Sequence, residues 1–153
     1  ATTYAVDAGL QGLVDNLRLG AMVAHLGPSL QVLNAEQADP LPSRVRVSAA
    51  YDIISAISDN ETLGAWIAFE IADRLRSLGS LSYHLGTELT AGQSDRLSLR
   101  AGYVWSDLEQ ENGGRVGLGL RFERFDLSIA KSLAVSTLTG ETEPVHVSFS
   151  IGF

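Results

Sequence analysis

Residues Pro144 to Phe153 alternate without a break. Val145, Val147, Phe149, Ile151 and Phe153 are apolar, and His146, Ser148, Ser150 and Gly152 fall between them. Successive side chains of a strand point to opposite faces, so this period of two gives one apolar face and one polar face. The pattern recurs along most of the chain and constrains the fold more than any other feature. A sheet built from such strands must shelter one whole face from water.

Tyr4, Val6, Ala8 and Leu10 alternate with Thr3, Ala5, Asp7 and Gly9, a first strand within Thr2 to Leu13 that leads to a turn signal at Asp15-Asn16. Leu17, Leu19, Ala21 and Val23 follow on one face, and Leu26-Gly27-Pro28 ends that strand. Ser29 to Leu33 reads as a short extended piece, and Asn34 to Pro42 as a loop. Further strands are expected over Arg44–Asp52, Leu63–Ile71, Leu81–Leu89, Arg96–Trp105, Arg115–Phe122 and Phe125–Ala130. Their connections are Ser58-Asp59-Asn60, Arg74 to Gly79, Gly92 to Asp95, Asp107 to Gly114, Glu123-Arg124 and Leu133 to Glu143. No helix is expected, because apolar residues rarely recur at helical spacing and Gly, Ser and Thr are scattered through the elements.

Composition narrows the environment. The chain of 153 residues carries a formal net charge of -7, which disfavours a nucleic-acid partner. It has no cysteine, so neither a disulfide frame nor thiolate chemistry is available. Hydrophobic content is 45% and mean hydropathy +0.11, yet no stretch approaches the roughly 18 apolar residues of a membrane helix. The apolar content is therefore spread by alternation. Lys131 is the only lysine, whereas soluble sheets usually guard their edges and solvated faces with lysine and glutamate.

These features predict an all-β fold, an antiparallel up-and-down transmembrane β-barrel. Strands of about ten residues suit a tilted bilayer crossing. In lipid every backbone group must pair within the protein, so strands there must close. Connections counted back from Phe153 alternate between long and short, as in outer-membrane barrels with long external loops and short periplasmic turns. The same frame puts Phe122, Phe125 and Tyr51 at the end of Phe153, and Tyr83, Tyr103 and Trp105 at the other, as two girdles. A soluble sandwich or lipocalin-like barrel is the alternative, since its strands also alternate. Nine good strands are odd, whereas bacterial single-chain barrels are even. Either Ser29–Leu33 extends into a tenth strand and the chain closes on itself, or residues 1–153 form one domain that is the C-terminal portion of a larger barrel; the second is favoured.

The run His25-Leu26-Gly27-Pro28, the step Pro40-Leu41-Pro42 and the strand Arg44–Tyr51 resemble the PorV-like outer-membrane family, within the FadL-type group of barrels. Leu97-Ser98-Leu99-Arg100-Ala101-Gly102-Tyr103 and Val116-Gly117-Leu118-Gly119-Leu120-Arg121-Phe122 resemble its late strands. His25 stands where the pattern leads one to expect Asn. The resemblance implies a bacterial outer-membrane protein, a scaffold or shuttle that receives secreted or surface proteins through external loops. Its wider group implies the alternative, a FadL-like conduit for hydrophobic small molecules. The expected partners are outer-membrane lipid, other envelope or secreted proteins, and a barrel-assembly machinery for which Phe153 is the candidate C-terminal signal.

The inward face carries the candidate site residues. His84, Glu88, Arg96, Arg100, Arg115, Arg121, Glu123 and Asp126 form a candidate lumen network, either a filter for a solute or a salt-bridged filling. Trp66 is the candidate lumen aromatic. Asp107, Glu109 and Glu111 have no calcium-loop spacing and read as solvated loop. His25, His84 and His146 accompany no nucleophile motif, so no enzyme, no cofactor and no metal is expected, an outer-membrane lipase being the minor alternative.

Overall fold

The structure, a computed structural model, describes residues 4–31, 38–39, 41–59, 61–75, 77–107, 112–134 and 145–152. Phe153, Glu109, Glu111, residues 32–37 and 40 of the connection 27–43, and residues 135–144 lie outside these residues.

Among the described residues the strands are β1 (Val6–Val14), β2 (Leu17–Leu26), β3 (Leu30–Gln31), β4 (Ala38–Asp39), β5 (Arg44–Asp52), β6 (Leu63–Arg74), β7 (Ser77–Ala91), β8 (Arg96–Ser106), β9 (Gly113–Phe122), β10 (Phe125–Ser132) and β11 (Val145–Ile151), with one helix, α1 (Ile53–Ile57). Nine of the strands form one sheet in the order β1-β2-β5-β6-β7-β8-β9-β10-β11. Every neighbour is antiparallel, so each strand pairs with its predecessor and its successor in that order. The fold is all-β and up-and-down, as expected. The sheet is open: Phe149 pairs with Leu127, and among the described residues β11 has no ladder to β1.

Of the short extended piece Ser29–Leu33, Leu30–Gln31 pairs with Ala38–Asp39 in a separate two-stranded ladder, so among the described residues it adds no tenth strand to the sheet, in line with the favoured reading. Three local expectations are corrected. A helix does form at Ile53–Ile57. The Asp52 carboxylate accepts the Ser55 N–H at 3.1 Å and the Ser55 hydroxyl at 2.8 Å, a side-chain cap on a helix of five residues, too short to show a period. The connection expected over Arg74 to Gly79 is shorter, since β6 runs through Arg74 and β7 begins at Ser77. Gly113 and Gly114 open β9 rather than closing a loop, opposite Val104 and Tyr103.

Register decides what the faces become. Directly opposed residues share a face. Leu97, Leu120, Leu127 and Phe149 form one row across four strands, and Leu99, Leu118, Ile129 and Val147 form the next. Leu10, Ala21, Val47, Ile71, Tyr83 and Trp105 make another on the same face, across the first six strands of the sheet. The apolar residues of nine strands thus make one continuous face. That face is the exposed one: Phe149 is 60% and Val147 64% exposed, while Val104 (4%) and Ser98 (7%) on the opposite face are buried. A water-soluble sheet has this distribution reversed.

Aromatic rings sit at the two ends of the apolar face. Tyr51, Phe122 and Phe125 lie toward the turns 15–16, 92–95 and 123–124, and Tyr83, Tyr103 and Trp105 toward the opposite end. The Tyr103 and Trp105 rings are 4.5 Å apart. Lys131 also falls on the apolar face, at that second end, opposite Val116 and Val145. Between Leu97 and Trp105 the apolar side of β8 runs about 26 Å along the strand, at ~3.3 Å per residue.

The tight turns carry their own signals. Asp15 (φ 51°) and Glu123 (φ 50°) take the left-handed conformation at the head of two-residue hairpin connections, where the chain must turn with the twist of the strands. Asp95 accepts the Glu123 N–H at 3.1 Å and helps hold that conformation. His25 (φ 57°) is a bulge: β2 gains a residue between its pairings of Leu26 with Val6 and Val23 with Ala8. Asp7 accepts the His25 N–H at 2.7 Å, and the His25 carbonyl accepts the Ser43 hydroxyl at 2.7 Å. The two ends of the 27–43 connection are pinned together there.

At Gly27 a Cβ would collide with the Tyr4 carbonyl oxygen and stand 2.8 Å from Leu41 Cδ1. Gly27→Ala should therefore cost about 1–3 kcal/mol through forced backbone movement. Gly12→Ala, with nothing within 4 Å of the added carbon, should cost nothing. Denaturant melts of the two variants in the same medium check this, and equal midpoints would refute the pinned junction.

Candidate functional site on the polar face

The polar face is the recessed one. Cavities of about 430, 580, 390 and 80 Å³ open on it. Its floor is made of small residues: Ala50, Ala68, Gly86 and Gly102 lie side by side in one row across β5 to β8. Arg18 on β2 stands at one end of this row and Arg115 on β9 at the other. Charged side chains rise from the flanking rows because the alternation puts every second residue here.

Of the expected network, two pairs meet. Glu88 and Arg100 are cross-strand partners, and their carboxylate and Nε are in hydrogen-bonding contact. The Arg121 guanidinium donates to one oxygen of Asp126 through Nε (3.0 Å) and Nη2 (2.8 Å). Arg96 lies opposite Arg121 in the register, so Asp126 screens two like charges that would otherwise repel across the ladder.

The others stand apart. His84 lies opposite Glu70 and Val104, and its Nε2 is 3.1 Å from the Ser82 hydroxyl rather than on Glu88. Glu123 lies in the β9–β10 turn with its N–H on Asp95, at the rim of the face. The Arg115 side chain makes no ion pair or hydrogen bond among the described residues; its register neighbours are Gly102 and Ser132. Trp66 is on this face as expected, with the Arg18 guanidinium 4.4 Å from its ring centroid.

Arg18, Arg46 and Glu70 were absent from the expected network. Arg46 Nη1 lies 3.9 Å from Glu70, and Arg46 Nε is buried without a partner. All three residues sit at inward positions in the alternation, but their pairing needs the register between β2, β5 and β6. At the far edge the Ser128 and Ser148 hydroxyls are 2.7 Å apart.

The face offers charge recognition and hydrogen bonding. His25, His84 and His146 lie on β2, β7 and β11 and do not converge. Among the described residues no group of three or more His, Asp or Glu is placed to hold a metal ion. No helix of the described residues is long and apolar enough to cross a membrane, which says nothing of strands. No family model matches the chain, and no curated protein or solved structure does.

The Glu88 and Arg100 side chains are 32% and 57% exposed, so their pairing is screened by water. A double-mutant cycle with Glu88→Gln and Arg100→Gln should give a coupling no larger than about 1 kcal/mol. Coupling of several kcal/mol would mean that this face is far drier than its exposure indicates.

Proposed function

We propose that the chain spans a bacterial outer membrane as a β-sheet wall of barrel type, with its apolar face against lipid and its charged face toward an aqueous interior. The supporting observation is the reversal of the two faces: large aliphatic and aromatic side chains are exposed in rows on one, while on the other the small residues are buried beneath partly exposed, paired charges. Aromatic rings near both ends of the apolar face, with the only lysine at one of them, suit two interfaces with headgroups.

Within that setting we favour a binding, scaffold or shuttle component for secreted or surface proteins over a conduit for hydrophobic molecules. A greasy conduit needs a continuous apolar path. The recessed face instead presents Arg46–Glu70, Glu88–Arg100 and Arg121–Asp126 in succession across the sheet. The resemblance to the PorV-like family points the same way. Loop 27–43 and its pinned base form the docking element that this reading favours.

Two measurements test the proposal. Leu118→Arg on the outer face should cost about 2–4 kcal/mol in a membrane and cut the inserted fraction, whereas Ala130→Arg on the recessed face should insert normally. Equal insertion of the two, or full solubility of the unaltered chain without detergent, would refute the membrane setting. Uptake of labelled fatty acid by vesicles carrying the protein, lost on Gly86→Trp, would restore the conduit.

A further inference from the structure

The 430 Å³ cavity on the recessed face combines three features that a filled or self-neutralised interior lacks. Its charge is unbalanced: Arg100 and Arg115 line it against one carboxylate, Glu88, a local net charge of +1 in a chain whose total is -7. Glu88 is engaged by Arg100, which leaves the Arg115 guanidinium without an anion among the described residues. Its floor is open as well: a Cβ at Gly86 would have only a carbonyl oxygen, at 4.0 Å, for a neighbour. The third feature is an aromatic wall at the opposite side, Trp66, whose ring is stacked on Arg18 at 4.4 Å and so held in place.

These features set the size and kind of guest. Trp66 is on β6 and Arg115 on β9, three strand spacings and two residues of register apart, or about 16 Å at ~4.8 Å per strand and ~3.3 Å per residue. Both side chains reach into the same cavity, and the gap left between them suits a single ring carrying an acidic group. Guanidinium prefers a planar oxyanion that accepts two parallel N–H donors, which a carboxylate supplies. An aromatic ring lies flat on a glycine floor where a branched chain would not. A cavity of this volume falls at the small end of the usual range for ligand sites, about 300–1,000 Å³.

We propose that this cavity binds a small aromatic carboxylate, with the carboxylate on Arg115 and the ring over Gly86 and Gly102 beside Trp66. The assignment rests on the recessed face alone and holds whatever covers the apolar one. It differs from the scaffold reading in locating a small-molecule site inside the sheet rather than at its loops.

The test is calorimetric titration of benzoate into the full chain in zwitterionic detergent, with benzyl alcohol and octanoate as comparison ligands. Saturable binding of benzoate is expected, with benzyl alcohol weaker by about tenfold or more because it cannot form the charged pair. Octanoate should also bind more weakly, since its chain does not stack. Arg115→Gln should reduce benzoate affinity by about tenfold, and Arg124→Gln in the β9–β10 turn should leave it unchanged. Gly86→Val should abolish it by filling the floor. Absent benzoate binding, benzyl alcohol or octanoate binding as tightly as benzoate, or full affinity in Arg115→Gln would each overturn the assignment. The three ligands are compared on the unaltered protein, so the outcome does not depend on any variant folding.

Discussion

The cross-strand register of the nine-stranded sheet is the constraint on which the rest depends. A slip of one residue in any ladder would move that strand's apolar side chains to the polar face. The ladders from β8 to β10 hold Leu97 and Leu99 against Leu120 and Leu118, Ser98 against Gly119 and Arg121 against Asp126. The two-residue connections Asp15-Asn16 and Glu123-Arg124 help fix that register, as does the bulge at His25 held by Asp7. The floor row, the ion pairs and the aromatic ends are all consequences of the same alignment.

Much of this was legible in the sequence because a period of two is a local property. The bounds of β5 at Arg44 and Asp52, the start of β10 at Phe125 and the inward parity of Trp66 follow from alternation alone. What was not legible needed partners. Arg18 stacks on Trp66, 48 positions away, only because β2 and β6 both flank β5. His84 and Glu88 share a face by parity, yet each turns to a different neighbour. Helix α1 escaped because five residues complete too few turns for a pattern, although Asp52 and Ser55 held the capping signal. Glu123 was assigned by parity to the interior, but parity lapses where a strand ends in a turn.

Arginine is the cation of the recessed face, and this has a physical reason. Its planar donors can serve a carboxylate on a neighbouring strand and stack on a ring, as Arg121 and Arg18 do respectively. The small residues between the arginines keep the pairs from being crowded out. Glycine and serine along β8 and β9 thus act as spacers for charge as much as relief for backbone.

The count of strands carries one more consequence, a matter of direction. Nine strands in strict alternation leave β1 and β11 pointing the same way. If the two margins met directly they would have to join as parallel strands, with slanted bonds unlike any other seam in the sheet. If instead every seam is to keep the antiparallel pattern, whatever lies between the margins must contribute an odd number of strands.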